Sequence, residues 1–117
     1  MLLKGFEKVN KHSELKSIKE VRAFIQENNF ALLYIWSDQC SVCHALYPKL
    51  FESVKDYQKI KLGKVNYQVV SEIAGEFLVF SVPTIILFKE GKEYLREGRF
   101  MRVQEFNKQL KHLNFMM

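Results

Sequence analysis

Cysteine is almost absent from this sequence, which holds only Cys40 and Cys43. A small secreted domain is usually stapled by several disulfides, so one closely spaced pair argues against a disulfide framework. It points instead to catalysis or metal binding in a reducing compartment. No apolar run approaches the roughly 18 residues of a membrane span, and no membrane partner is expected. The opening stretch meets charge at Lys4, Glu7 and Lys8, too early for the apolar part of a secretory leader, so the expected location is cytoplasmic. Blocks of about five or six like charges are also missing. Lysine and arginine are scattered from Lys4 to Lys111 and the net charge is +5, the pattern of a solvated basic surface rather than a nucleic-acid site. Repeats, low-complexity tracts and linkers are lacking too. A chain of 117 residues, 48% of them hydrophobic, can bury its own core, so one domain over residues 1–117 is expected.

What is present is concentrated around the two cysteines. They stand in the run Trp36-Ser37-Asp38-Gln39-Cys40-Ser41-Val42-Cys43-His44, directly after an apolar segment. Thiols at this spacing can close a small ring reversibly. A thiol at the first turn of a helix has its thiolate stabilised by unpaired backbone N–H groups and the helix dipole. Downstream, Cys43, Leu46, Leu50, Val54 and Tyr57 recur at steps of three or four and mark the inner stripe of a long helix. Cys43 is therefore expected to be buried and Cys40 to face solvent at the helix entrance, so the two sulfurs should be chemically unequal. Pro48 removes one backbone hydrogen bond from this helix and is expected to kink it about one turn beyond the cysteines.

The remaining elements follow from periodicity. Ser17-Ile18-Lys19-Glu20 has the form of a capping box, and Ile18, Val21 and Ile25 carry a helix to about Asn28. The pattern over residues 6–16 leaves a short strand and irregular chain as alternatives. Residues 30–36 are continuously apolar, as in a strand covered on both faces. A strand over 60–65, a short helix over 69–77 with Val70, Ile73 and Phe77 inward, and a second unbroken apolar strand over 84–88 come next. Glu90-Gly91 makes a turn into an antiparallel strand over 94–99, and Val103, Phe106, Leu110 and Leu113 line a last helix. The order describes an α/β fold in which a central mixed sheet is sandwiched between helices, with right-handed crossovers between parallel strands.

These features together resemble the thioredoxin family over nearly the whole chain from about Ser17. Trp36 lies four residues before Cys40 and Pro48 five residues after Cys43. Val82-Pro83-Thr84 precedes a central strand, and Gly91 and Gly98 fall in and after the terminal hairpin. The resemblance implies a thioredoxin fold and a protein-disulfide reductase in which Cys40 is the attacking thiolate and Cys43 the resolving thiol. It further implies that Pro83 is cis and packed against the sulfurs, that the Val82 backbone pairs with an extended substrate segment, and that Trp36 borders the site. The implied partners are disulfide-containing proteins and an electron donor, either a thioredoxin reductase or a small thiol. No metal or organic cofactor is implied.

The sequence also departs from that family. Its usual buried aspartate in the strand entering the site is replaced by Tyr34, whose phenol is a poor proton acceptor at neutral pH. Lys64 matches the lysine that commonly neighbours that aspartate. His44 is the nearest alternative base by sequence, although adjacent helix residues point to different faces. Ser41-Val42 is neither the Gly-Pro of typical reducing thioredoxins nor the Pro-His of oxidising relatives, and Gln39 replaces the tryptophan that usually precedes the first cysteine.

Three rival readings use the same residues. Cys40-Ser-Val-Cys43-His44 satisfies the haem-attachment pattern C-x-x-C-H, but nothing supports the export that attachment usually needs. Zinc needs about four ligands, and the other histidines, His12 and His112, lie near opposite ends of the chain. A thioredoxin-like adaptor or redox sensor, reacting once rather than turning over, is the alternative from a different class. The apolar end at Phe115-Met116-Met117 is expected to fray.

Overall fold

The computed structural model describes residues 12–116. The opening stretch weighed as a leader and the first part of the undecided segment 6–16 lie outside them, as does Met117. Within that undecided segment the chain forms a strand, β1 (His12–Leu15). It is followed by α1 (Ile18–Glu27), β2 (Phe30–Trp36), α2 (Ser41–Val54), β3 (Ile60–Asn66), α3 (Ile73–Phe77), β4 (Thr84–Lys89), β5 (Lys92–Glu97) and α4 (Val103–Asn114).

The five strands form one mixed sheet in the order β1-β3-β2-β4-β5. β1, β3 and β2 run parallel, and β4 is antiparallel to both β2 and β5. The unbroken apolar run of β2 is explained by its central place, because alternate residues serve opposite faces. Leu32 and Tyr34 join the layer built by α2 and α4, packed with Cys43, Leu46, Leu50, Phe106 and Leu110. Ala31, Leu33 and Ile35 point the other way, into the layer of α1 and α3 with Val21, Phe24 and Ile73.

Local chemistry sets the ends of these elements. The Ser17 side chain accepts the Glu20 N–H at 3.1 Å, as a capping box requires. The Glu20 carboxylate, however, takes the N–H of Lys16 at 2.9 Å, one residue before the cap. Asn28 closes α1 by donating its side-chain amide to the Phe24 carbonyl at 2.8 Å. Glu90 and Gly91 both adopt positive φ, 51° and 82°, which matches the right-handed strand twist of a tight hairpin. On β3, Gly63 faces Leu15 and Phe24 so closely that a Cβ there would lie 2.7 Å and 2.9 Å from their side chains.

Three expected boundaries shift. α2 ends at Val54, so Tyr57 sits beyond it in a turn while still packing on the core. Residues 69–72 form turns rather than helix, with the N–H groups of Val69 and Val70 both bonded to the Asn66 carbonyl, and α3 starts only at Ile73. β5 begins at Lys92 and stops at Glu97, because the two-residue turn lets pairing resume at once. α2 itself runs unbroken through Pro48, which has no N–H to give to the His44 carbonyl.

Candidate active site

The end of β2 and the start of α2 bring the two cysteines together. They form a disulfide, with Cα atoms 5.2 Å apart. Cys40 occupies the N-cap of α2 and is half-buried, whereas Cys43 lies in the first turn on the inner stripe and is buried. The inequality expected from helical periodicity is therefore present. The Cys40 sulfur accepts the backbone N–H of Cys43 at 3.1 Å, taking the place of the oxygen of an ordinary cap residue. Backbone donors at a helix N-terminus favour negative charge, so this contact stabilises a Cys40 thiolate once the disulfide is reduced.

A second segment closes over the sulfurs from the far side of the chain. The Val82–Pro83 peptide is cis, and the Val82 carbonyl oxygen lies 3.8 Å from Cys40 Sγ. Pro83 is buried and Val82 half-buried at the entrance to β4. Trp36, at the end of β2, is half-buried, and its indole Nε1 is enclosed without a hydrogen-bond partner among the described residues.

Behind the disulfide lies an aromatic and cationic cluster. Tyr34 is buried, and its hydroxyl donates to the Cys43 carbonyl at 2.6 Å. Burial, reinforced by the neighbouring Tyr47 phenol, pushes the Tyr34 pKa well above the ordinary phenol value, so it keeps its proton. The Lys64 ammonium sits between two rings, 4.2 Å from the centre of Tyr47 and 4.7 Å from that of Trp36. Tyr47 in turn hydrogen-bonds His12 Nδ1 at 2.8 Å, while His12 Nε2 meets the Glu14 carboxylate at 2.7 Å. A carboxylate accepts only, so Nε2 donates to Glu14, and in the tautomer with its single proton there Nδ1 accepts from the Tyr47 hydroxyl.

His44 is exposed and turned away from the sulfurs for hydrogen bonding. Its Nε2 donates to the Asp38 carbonyl at 2.8 Å and its ring meets Trp36 edge-on at 5.8 Å, so it braces the turn that carries Cys40. His12 and His112 fall on β1 and in the last turn of α4. Among the described residues no group of three or more histidine, cysteine or acidic side chains is placed to hold a metal. No helix among them is long and apolar enough to cross a membrane.

Sequence reasoning missed Glu14 and Tyr47 as neighbours of the site, and it singled out His12 only as a possible zinc ligand. Tyr47 lies beside the inner stripe of α2 rather than on it, and β1 was undecided by its pattern. Neither residue carried a local signal.

With this geometry, the comparisons with known proteins agree. The thioredoxin family model matches residues 11–112. The thioredoxin-like protein YdfQ of Bacillus subtilis is 39% identical over 99 residues, covering 85% of this chain and 88% of that one. Thioredoxin of Mycoplasma pneumoniae is 29% identical over 89 residues, covering 76% of this chain and 87% of its own. In structure, thioredoxin from Trypanosoma brucei brucei superposes with a TM-score of 0.79 at 18% identity, covering 90% of this chain and 92% of that one, which is a likeness of fold.

Proposed function

The chain belongs to the thioredoxin family and is a thiol–disulfide oxidoreductase, and from that premise we propose how its residues divide the work. Cys40 is the attacking thiolate and Cys43 the resolving thiol. The observation that carries this division is the placement of Cys40 at the accessible helix mouth, with a backbone N–H on its sulfur, while Cys43 is 1% exposed behind it.

Reduction proceeds in two exchanges. The Cys40 thiolate attacks one sulfur of a substrate disulfide; that S–S bond breaks and the other substrate sulfur leaves as a thiolate with the bonding pair. Cys43, having lost its proton, then attacks the Cys40 sulfur, and the second substrate thiolate departs. The protein is left with the Cys40–Cys43 disulfide, and the substrate has gained two electrons. Tyr34 holds its proton and supplies no base, so the proton of Cys43 passes to solvent or to the departing substrate thiolate.

Val82 and Pro83 form the docking edge for an extended substrate segment, with Trp36 as the wall beside the sulfurs. Support comes from the Val82 carbonyl, which stands 3.8 Å from Cys40 Sγ at the entrance to β4, where an extended segment would pair with it. Lys64 and His44 act as modulators, one through its charge between the rings and the other through its hold on the turn. The whole chain works as one domain in a reducing, cytoplasmic setting, recharged by a reductase of the thioredoxin-reductase class or by a small thiol. A lone, closely spaced cysteine pair supports that setting.

Cys43→Ser tests the assignment. It should accumulate substrate proteins as reducible adducts on Cys40, while Cys40→Ser accumulates none. Equal trapping by Cys40→Ser would reverse the roles. The unaltered protein should reduce many equivalents of insulin with a recycling reductant; a single equivalent followed by arrest would identify an adaptor instead.

A further inference from the structure

Three strands bring an acid, a cation and a phenol into one row behind the disulfide. In the parallel pairing of the sheet Glu14 on β1 lies opposite Lys64 on β3, and Lys64 lies opposite Tyr34 on β2. All three therefore project from the face that α2 covers, where Tyr34 packs with Cys43. Opposite charges set directly across neighbouring strands attract each other. Glu14 and Lys64 nevertheless form no ion pair.

Both are held elsewhere. The Glu14 carboxylate takes His12 Nε2 at 2.7 Å, from two residues back on the same strand. The Lys64 ammonium rests between the rings of Tyr47 and Trp36, and among the described residues it meets no carboxylate. His12 serves both arrangements at once. Its other nitrogen, Nδ1, lies 2.8 Å from the Tyr47 hydroxyl, and its ring meets that of Tyr47 edge-on with 5.6 Å between centres. One imidazole thus fixes the acid and also the ring against which the cation lies.

The consequence reaches the sulfur through α2. Tyr47 follows Cys43 by four residues, so the two side chains share one side of the helix. Tyr47 also packs on Tyr34, 5.3 Å between ring centres, and the Tyr34 hydroxyl bonds the Cys43 carbonyl. Burial disfavours a Cys43 thiolate and a nearby cation favours it. Among the described residues the other elements in this layer add no competing charge. β4 and α4 present Ile85, Leu87, Phe106 and Leu110, Asp38 and His44 are exposed on the turn, and burial keeps the Tyr34 and Tyr47 phenols protonated where thiols titrate. A Glu14 carboxylate drawn onto Lys64 would cancel most of its field at the sulfur.

We propose that His12 is a positioning residue for the resolving step: it keeps Glu14 from neutralising Lys64, and the uncompensated cation stabilises the Cys43 thiolate. This role rests on the assignment of Cys40 as attacker and Cys43 as resolver, and it supplies what assists the second exchange where Tyr34 offers no base. The Cys43 proton leaves to solvent, the thiolate bonds the Cys40 sulfur, and the substrate sulfur departs with the electron pair of the broken bond. His12 holds Glu14 in either charge state, because Nε2 donates in the protonated ring as well as in this tautomer of the neutral one.

One equivalent of dithiobis(nitrobenzoate) mixed with the whole reduced chain tests it. Attack by Cys40 releases a first aromatic thiolate, and attack by Cys43 on the resulting mixed disulfide releases the second, so stopped-flow absorbance separates the two steps. The second rate followed against pH gives the Cys43 midpoint. His12→Ala frees Glu14 to reach Lys64 and should raise that midpoint by about one pH unit, the low end of the effect of one neighbouring charge. A thiolate of higher pKa is also the better nucleophile, by roughly half of the shift on a logarithmic scale. Resolution should therefore be about threefold slower below the midpoint and about threefold faster on the alkaline plateau, a crossing that loosened packing does not produce. His12→Ala with Glu14→Gln should restore the midpoint, because the amide has no charge to set against Lys64. His12→Asn keeps an acceptor for Tyr47 but is too short for Glu14 and should raise the midpoint, whereas His12→Gln reaches Glu14 and should not; this contrast decides the matter if the alanine variant fails to fold. A midpoint unmoved in His12→Ala and His12→Asn, or one that Glu14→Gln leaves raised, would overturn the role of His12 while leaving the two-step release intact. Release of a single equivalent by the unaltered protein would instead refute the division of labour between Cys40 and Cys43, and the role of His12 with it.

Discussion

The Tyr34 hydroxyl reaches from the centre of the sheet to the first turn of α2 and donates to the Cys43 carbonyl at 2.6 Å. The position that a proton-accepting aspartate holds in the resembling family is here a donor aimed at the backbone, one atom group away from the sulfur chemistry. Because burial keeps this phenol protonated, the same bond serves whether the cysteines are joined or reduced.

Tyr34→Phe is expected to cost about 1 kcal/mol of stability, the usual net worth of one internal hydrogen bond. It should also slow the resolution of a mixed disulfide by Cys43 more than the attack by Cys40, since only Cys43 is held. Urea unfolding and a two-phase stopped-flow trace measure the two effects. Equal slowing of both phases would deny Tyr34 a positioning role at Cys43.

Tyr47 predicts the behaviour in alkali. Burial, with the Glu14 carboxylate nearby, pushes its phenol from 10 up to about 12. Between those values the unfolded chain has released the proton and the folded one retains it, so stability is fully present below pH 10 and falls as pH rises toward 12. Tyr34 is shifted in the same direction. Urea midpoints followed from neutral pH into this window should decline, and Tyr47→Phe should decline less steeply. An identical decline in the variant would show that Tyr47 titrates normally.

Gly63→Ala drives a methyl group to within 2.7 Å of Leu15 and 2.9 Å of Phe24, where β1 and α1 meet β3. Overpacking of this kind costs about 1–3 kcal/mol. Thermal unfolding should register that loss, while the rate with hydroxyethyl disulfide, read on the other face of the sheet where Cys43 packs, should hardly change. A fully stable variant would mean that the Leu15 and Phe24 side chains yield freely.

His44→Ala removes the brace on the Asp38 carbonyl and the edge contact with Trp36. The turn that carries Cys40 loosens, and the rate of Cys40 alkylation as a function of pH should shift, with reactivity at neutral pH reduced a few-fold, about the effect of one lost hydrogen bond. An unchanged profile would leave His44 a surface residue.

The elements of this protein were legible because each has a local cause. The capping box at Ser17 starts α1, the double-sided apolar run of residues 30–36 requires a central strand, and the stripe through Cys43 and Leu46 orients α2. The cysteine spacing and the helix mouth were sufficient to predict two unequal sulfurs, with Cys43 buried and Cys40 less so. Boundaries were less legible at 69–72 and at Tyr57, where the helical spacing of apolar residues continues into turns that bury the same side chains without helical hydrogen bonds.

What the sequence determined by itself is therefore the periodic part: which segments are strand or helix, which face of each is buried, and that two thiols share one turn. Only the tertiary structure decided what surrounds those thiols. Val82, 42 residues from Cys40, places its carbonyl on the sulfur, and Tyr47, 35 residues from His12, joins a relay from Glu14 to the cluster behind the disulfide. Such contacts arise when packed layers bring distant chain segments together, and no spacing within either segment encodes the partner it will meet.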